Sequence, residues 1–354
     1  MRRVAVVAAA VLVLSACGSD EVPEVVAVDV SGLRVTGEQE QPEMFSAYLS
    51  TDGARLLYND ENGACVRGAD GSGQQCFELV DGESQPDTGG AVWSPDGAKL
   101  AFTDALVVGA EPDVWVLDVG SGELTNLTND GVGGWGLRGE PSDDAVIDQF
   151  PSWSADGRQI RFARRAAGAT TVDLMTIRVE GGEPTRLRET DIRFTDLRTM
   201  TWSADDIAWF AGPKQGGAGV VRVQNTLGGD PVDVLRGDYP LLSFSADGQF
   251  LLADAYSRND TPTTDKARVV PAQGGDAKPV ATGPVAQPGW GPKGHALAFV
   301  ASPDRLMVVG QPGGKARELY SQPVLTAAGQ GMDWVPGKLL VMVGDRPVVL
   351  SVDG

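Results

Sequence analysis

Acidic, basic and aromatic side chains gather in one stretch of the chain, residues 129–150, which holds Trp135, Arg138, Asp143 and Asp144. Paired carboxylates can perform the acid–base steps of glycoside hydrolysis or a lyase reaction, and with backbone carbonyls they can hold Ca²⁺. A tryptophan with arginine beside carboxylates has instead the composition of a protein-contact hot spot. Adjacent positions in a loop set neither the separation nor the pKa of two carboxyls. We therefore prefer partner contact to catalysis here, while the plainer interpretation, that Trp135 simply anchors a long loop against its own blade, comes before both.

Other motifs that carry chemistry are weak in this chain. His295 is the only histidine, so a Ser-His-Asp triad would need it as the base, yet it lies in a short turn and no G-x-S-x-G string occurs. Residues 131–136 match G-x-G-x-x-G, but Pro141 and acidic residues follow where dinucleotide binding requires a helix. The sequence therefore predicts no catalytic set and no cofactor, with Ca²⁺ left as an alternative.

The N-terminal residues have the pattern of an export signal. Arg2 and Arg3 precede an apolar run over residues 4–14, which is too short for a membrane span. The ending Leu-Ser-Ala-Cys17 resembles the bacterial lipobox, and this resemblance implies cleavage before Cys17 and attachment of acyl chains such as palmitate. An ordinary cleaved signal with a chance cysteine is the alternative. The predicted division is a lipoprotein signal peptide 1–16, a tether 17–23 and a folded domain 24–354.

Cys65 and Cys76 flank a glycine-rich turn at residues 68–73. An exported protein lies where disulfides persist, and facing hairpin strands bring two Cα atoms to a bridging separation. We expect a Cys65–Cys76 disulfide that closes one hairpin. Zinc is the poorer alternative, because the chain has a single histidine and no second cysteine pair.

The formal net charge is −19 and becomes −21 once Arg2 and Arg3 are removed. A surface of this charge repels nucleic acid and anionic lipid head groups. We therefore expect no nucleic-acid partner, and contact with the membrane only through the lipid anchor.

The elements that must position these residues repeat along the chain. An aromatic residue, a short polar turn and an apolar run recur seven times, and a period of 40 to 50 residues with strand-like content is typical of propeller blades. In the clearest copy, Ser94-Pro95-Asp96-Gly97 suits a turn in which proline presets φ and glycine takes a positive φ. The aromatic anchors are Tyr48, Trp93, Trp153, Trp202, Phe244, Trp290 and Trp334.

Each repeat contains four strand-like segments, and we predict an all-β fold: a seven-bladed β-propeller of four-stranded antiparallel blades. The seventh copy lacks its fourth strand. Residues 25–30 and 33–35 belong to no blade, and an N-terminal strand from one of them would complete the last blade and remove an exposed sheet edge.

The string from Trp93 to Phe102, with its relatives at 153–162 and 290–299, resembles the PD40, or WD40-like, repeats of TolB-like β-propellers. The same repeats occur in the propellers of prolyl-oligopeptidase-type enzymes. The resemblance implies the fold, and such propellers serve many functions. The chain has no room for the N-terminal domain of TolB and no hydrolase domain, so neither a Tol-system role nor peptidase activity is expected.

The two faces of this propeller differ. The turns between the first and second strands and between the third and fourth strands of each blade are short and form what we call the short-turn face. The remaining loops form the variable face, where binding is expected because loops on a rigid scaffold carry function. Its largest segments are 129–150, 189–199 and 256–266, and its expected partner contacts are Trp135, Arg138, Asp143, Asp144, Arg193 and Arg198.

The sequence thus predicts a monomeric, lipid-anchored binding module on the extracytoplasmic face of a bacterial cell membrane, with an envelope protein or a peptide as its partner. One alternative is a carbohydrate-active or lyase-type enzyme that uses carboxylates at the channel mouth. The other is a sensor for a small ligand or Ca²⁺.

Overall fold

The computed structural model describes most of the folded domain. The described residues are 26–42, 44, 46–60, 63–77, 90–103, 112–131, 145–212, 218–255, 267–283, 285–301, 304–324, 332–343 and 346–354. The predicted signal peptide, tether and lipidated Cys17 lie outside them, as do Trp135, Arg138, Asp143 and Asp144. What was predicted for those residues stays a prediction.

The fold is all-β and forms a seven-bladed propeller of four-stranded antiparallel blades, as predicted. No α-helix occurs in the described residues, and none of their segments could cross a bilayer as an apolar helix. Blades 1 to 3 comprise β2 (Ser46–Leu49), β3 (Arg55–Asp60), β4 (Gly63–Gly68) and β5 (Gln74–Phe77); β6 (Val92–Trp93), β7 (Lys99–Thr103), β8 (Val114–Asp118) and β9 (Leu124–Asn126); and β10 (Ile147–Trp153), β11 (Gln159–Arg165), β12 (Thr171–Arg178) and β13 (Thr185–Arg193).

The other four blades follow the same order, with the first strand of each blade innermost. Blades 4 to 6 comprise β14 (Leu197–Trp202), β15 (Asp206–Ala211), β16 (Gly219–Asn225) and β17 (Val232–Gly237); β18 (Leu241–Phe244), β19 (Phe250–Asp254), β20 (Arg268–Pro271) and β21 (Lys278–Pro279); and β22 (Val285–Trp290), β23 (Leu297–Ala301), β24 (Arg305–Val309) and β25 (Arg317–Tyr320). Blade 7 contains β26 (Asp333–Val335), β27 (Lys338–Val343), β28 (Arg346–Asp353) and the N-terminal strand β1 (Arg34–Glu40).

The two ends of the folded domain meet in blade 7. β1 pairs antiparallel with β28, with Arg34 opposite Asp353 and Glu40 opposite Val348. The predicted closure by an N-terminal strand is therefore confirmed. The strand overlaps the predicted segment 33–35 and continues to Glu40, whereas residues 26–33 form no strand.

The repeated turn is built by its serine and aspartate. In blade 2, the Ser94 hydroxyl donates to Asp96 Oδ1 (2.6 Å) and accepts the backbone N–H of Lys99 (2.9 Å), while Gly97 has φ 67°. The side chains thus replace part of the backbone hydrogen bonding that a turn leaves open. The turns that begin at Ser50, Ser154 and Ser245 repeat these bonds.

Blade 4 departs from this pattern. Three residues separate β14 from β15, whereas five separate β10 from β11 in blade 3. The Ser203 N–H donates to the Asp206 carbonyl (2.8 Å), so strand pairing resumes at once. Asp206 stands where the other turns have glycine and is already the first residue of β15. The predicted fourth copy of the turn is therefore a shorter hairpin.

The signature tryptophans join neighbouring blades at the centre of the ring. The indole N–H of Trp153 donates to the Val92 carbonyl of blade 2 (2.9 Å), and Trp202 donates to Phe150 of blade 3 (2.9 Å). Trp290 does the same to Ser243 of blade 5 (3.0 Å). Since the innermost strand of a blade is a sheet edge, its free carbonyls need a donor, and each indole also brings a buried ring between the blades.

Cys65 and Cys76 are directly opposite each other on β4 and β5 and form the predicted disulfide. Cys65 is fully buried in the apolar cluster of blade 1. The bond therefore fixes the outer strand of this blade to its buried neighbour.

Two matched substitutions test the inter-blade hydrogen bond. Trp153→Phe removes the bond to Val92, whereas Trp93→Phe removes an indole N–H that has no acceptor among the described residues. Both indoles are buried to a similar degree, so the loss of ring area is comparable. We expect Trp153→Phe to lower the free energy of unfolding by about 1 kcal/mol more than Trp93→Phe, measured by urea denaturation. Equal losses would contradict this role.

Asp333 makes stability depend on pH at the junction of blades 7 and 1. Its carboxylate accepts the Leu49 N–H (2.5 Å), and desolvation raises the pKa of Asp333 to about 6. A carboxyl with a raised folded-state pKa opposes folding increasingly as pH rises from its unfolded value, about 4, through 6. Asp333→Asn should therefore gain stability relative to the parent between pH 4 and pH 7, measured as urea midpoints. A pH-independent difference would refute this assignment.

Candidate functional site

Arg193 and Arg198, both predicted as loop contacts, lie on strands. β13 runs to Arg193 and β14 begins at Leu197, so the predicted loop 189–199 is a turn of three residues. The extension arises because Thr190 and Ile192 alternate inward, and both are buried. The prediction of a long variable loop here was wrong.

The two arginines have different surroundings. Arg198 donates to the carbonyls of Leu197 (2.9 Å) and Thr195 (2.7 Å), so its guanidinium holds the turn that precedes β14. Arg193 is exposed and lines a groove of about 380 Å³ between blades 3 and 4, together with Asp191 and Asp196. Of the two, Arg193 is the side chain placed to meet a partner.

Asp148 lies near the end of the predicted segment 129–150. It lies on β10, is 1% exposed, and accepts two hydrogen bonds from Arg164 (2.7 and 2.6 Å). Desolvation raises the pKa of Asp148 despite this bidentate pairing. The described residues contain no cluster of three or more His, Cys, Asp or Glu side chains that could hold a metal ion.

A large groove lies on the short-turn face, opposite the face where binding was expected. It has a volume of about 1130 Å³ and crosses blades 3, 4 and 5 to reach Gln311 and Pro312 of blade 6. The shorter hairpin of blade 4, at residues 203–205, lies between the longer turns of blades 3 and 5 and leaves the depression. The aspartate at position 206, in place of a glycine, was the sequence signal of this site, but residues 203–206 were counted as an ordinary copy of the turn.

Aromatic rings and one arginine form the inner part of the groove. Trp202 and Phe244, the signature aromatics of blades 4 and 5, both line it and are half-buried. The guanidinium of Arg161 lies 5.3 Å from the Trp202 ring centroid and donates to the Ala204 carbonyl (3.0 Å). Desolvation lowers the pKa of Arg161, which remains charged. Arg161 thus supports the ring and the short hairpin from below.

Two adjacent carboxylates project from the short hairpin. Asp205 is exposed, while Asp206 is 9% exposed and accepts one hydrogen bond from Asn225 (3.1 Å). Desolvation raises the pKa of Asp206, and the charge of Asp205 adds to this effect. Among the described residues neither carboxylate forms an ion pair. This part of the groove therefore favours a cationic group.

His295 lies beside the groove and joins blades 5 and 6. It is 4% exposed, its Nδ1 is 2.9 Å from Asp247 Oδ2, and its ring packs against Phe250 at 5.1 Å between centroids. Although desolvation opposes ionisation of Asp247, hydrogen bonds with Ser245 and His295 lower its pKa. His295 therefore fixes the side chain of Asp247 and stabilises the blade 5 turn at the edge of the groove.

Comparisons with solved structures agree with this architecture. An oligogalacturonate lyase from Vibrio parahaemolyticus is similar over 92% of both chains, with 11% identity and a TM-score of 0.52. The β-propeller domain of Cps50 (Swd1) from Myceliophteria thermophila is similar over 90% of this chain and 100% of its own, with 12% identity and a TM-score of 0.51. TolB from Acinetobacter baumannii is also a neighbour, at 13% identity over 88% of this chain and 65% of its own, with a TM-score of 0.45.

These similarities show the fold alone, because the sequence identities are only 11 to 13%. No protein-family model matches the chain, and no curated protein matches its sequence. The fold class that the structure defines is a seven-bladed β-propeller.

The two arginines of the predicted contact set can be separated by substitution. Arg198→Ala removes the donors of the Leu197 and Thr195 carbonyls and should cost about 1 to 2 kcal/mol of unfolding free energy. Arg193→Ala should stay within about 0.5 kcal/mol, as is usual for an exposed side chain. Thermal unfolding of both variants measures the difference. If the two melt alike, Arg198 has no special structural role.

Proposed function

We propose that this chain is a lipid-anchored propeller on the extracytoplasmic face of a bacterial cell membrane, where it acts as a non-catalytic binding module for an envelope protein or a peptide. The observation that carries the binding part is the groove across blades 3 to 5. The anchoring part rests on the lipobox-like sequence that ends at Cys17.

The lining of the groove supports a partner of defined chemistry. Asp205 and Asp206 present negative charge in the groove, where Arg161 acts on Asp205 without forming an ion pair, and Trp202 and Phe244 offer apolar surface beside them. An extended segment that carries a basic side chain flanked by apolar residues meets both requirements, since aromatic and charged groups together make contact hot spots.

Exposed apolar side chains next to the groove favour a macromolecule over a small ligand. Leu227 is 91% exposed in the turn between β16 and β17, and Val232 is 45% exposed at the start of β17. Val232 is adjacent to Gly274, which lines the groove. A partner that fills the groove and extends over blade 4 would cover these side chains.

Cross-linking in the native membrane tests this function and locates the binding face. Asp205→Arg reverses a charge inside the groove, whereas Glu123→Arg does so at an exposed position of blade 2 outside it. The pair Trp135→Ala and Arg193→Ala addresses the predicted contacts of the variable face. We expect Asp205→Arg to reduce recovery of cross-linked neighbours at least about tenfold, because a buried interfacial charge pair is worth 2 kcal/mol or more. Glu123→Arg should leave recovery unchanged.

Several outcomes would contradict the proposal. Unchanged recovery in all three variants would remove the binding function, and loss only in the Trp135 and Arg193 pair would move it to the variable face. Turnover of oligogalacturonate or cell-wall glycans, lost in Asp144→Asn, would favour the lyase-type enzyme. Stabilisation of the chain by Ca²⁺ or sugars alone would favour a small-ligand sensor. Cys17→Ser should release the protein from the membrane fraction, and its retention there would refute the lipid anchor.

A further inference from the structure

The segment before β1 crosses the short-turn face of blade 6. The Val28 N–H donates to the Gly310 carbonyl (2.9 Å), and the side chain of Arg317 donates to the carbonyls of Val30 (2.7 Å) and Leu33. Gly310 and Arg317 flank the turn between β24 and β25, which belongs to this face. The chain therefore enters the propeller from the short-turn face.

The fit of this segment is close. A Cβ on Gly310 would lie 2.0 Å from the Val28 carbonyl oxygen, and one on Gly294 would lie 2.8 Å from Val28 Cγ2. Glycine is thus required at both turns where the segment passes, because any side chain would displace it. The path of residues 28–33 is held by hydrogen bonds and by contact, so it gives the entering chain a definite direction.

The distance from this segment to the predicted lipid anchor is short. Eight residues lie between Cys17 and Val26, and the nine Cα-to-Cα steps that join them span about 30 Å when fully extended. An acylated Cys17 would therefore hold the short-turn face near the bilayer and turn the variable face away from it. This step rests on the lipid anchor proposed above.

Basic side chains on the short-turn face surround the entering segment. Lys293 and Lys315 are exposed in the two turns of blade 6, and Arg34 is exposed where β1 begins. Arg317 lies nearby with its guanidinium on the carbonyls of Val30 and Leu33, and the Lys338 ammonium donates to the Ser351 hydroxyl (3.0 Å). Asp29 in the entering segment and Asp353 at the end of β28 are exposed acids of the same region. The other blades present mainly acids in their first turns, namely Asp52, Asp96, Asp156, Asp205 and Asp247.

The negative net charge of the chain predicts repulsion from an anionic membrane, but this local cluster of basic side chains predicts attraction. Each lysine or arginine near an anionic bilayer contributes about 1 kcal/mol, and the contribution fades within a Debye length. Blades 6 and 7 are therefore attracted to anionic head groups, while the acidic turns of blades 1 to 5 are repelled. We propose that the short-turn face at blades 6 and 7, with Lys293, Lys315 and Arg34, rests on the anionic surface of the membrane. The propeller then tilts, and the groove of blades 3 to 5 opens toward the gap above the bilayer.

Fluorescence quenching by spin-labelled lipid head groups tests this orientation. A fluorophore is attached to single cysteines introduced into the full lipidated chain in vesicles of phosphatidylcholine and phosphatidylglycerol. The positions are Pro336→Cys on the short-turn face of blade 7, Pro95→Cys on the same face of blade 2, and Ala167→Cys between β11 and β12 on the variable face, all of them exposed. We expect quenching to be strongest at position 336, weaker at 95 and absent at 167.

Charge reversal tests the basic patch itself. Lys293→Glu with Lys315→Glu should reduce quenching at position 336 to the level seen at 95, as should vesicles of phosphatidylcholine alone. The matched pair Arg158→Glu with Arg178→Glu, both exposed on the short-turn face of blade 3, should leave position 336 quenched. Strongest quenching at position 167, or equal quenching at 336 and 95, would overturn the proposed orientation. Failure of the chain to float with the vesicles would instead refute the lipid anchor, so the two failures are distinguishable.

Discussion

Open inner edges are the constraint on which this structure depends. Each blade leaves its first strand with one unpaired side that faces the central channel, and an unpaired edge is costly when water is excluded. Where a signature tryptophan donates its indole N–H to the preceding blade, it satisfies such an edge and adds a buried ring to the contact. Where blade 7 meets blade 1, the side chain accepts instead of donating: Asp333 of blade 7 accepts the backbone N–H of Leu49 on the first strand of blade 1. The ring is stable because each of these side chains satisfies a backbone group on the inner strand of a neighbouring blade.

The same repeat explains how a site arises without a special loop. Most blades build their first turn from serine, aspartate and glycine, and these turns share the same hydrogen bonds. Blade 4 has a shorter connection between Ser203 and Asp206, and its neighbours therefore rise above it. A small deletion in one repeat is enough to open a groove and to place two carboxylates inside it. A change in the length of one turn can thus create a groove on the short-turn face of an otherwise regular propeller.

The ring, its closure and the disulfide were predictable from the sequence, because a repeated aromatic residue, a turn motif and two cysteines across a hairpin are local patterns. The position of the groove was not predicted. Loop length pointed to the variable face, while the turn that ends at Asp206 was counted as an ordinary copy of the repeat. The role of Arg198 was also missed, since its two carbonyl acceptors depend on the backbone path of a turn and leave no trace in residue type.

The pairing of β1 with β28 brings together residues more than 300 positions apart. Blades 1 to 6 can each form from four consecutive strands, whereas blade 7 has to join β1 to the last strand of the chain. Until they pair, β1 and β28 each present an edge of unpaired backbone. Closure of blade 7 is therefore a late assembly step, during which a second copy of the chain can compete for the unfinished blade.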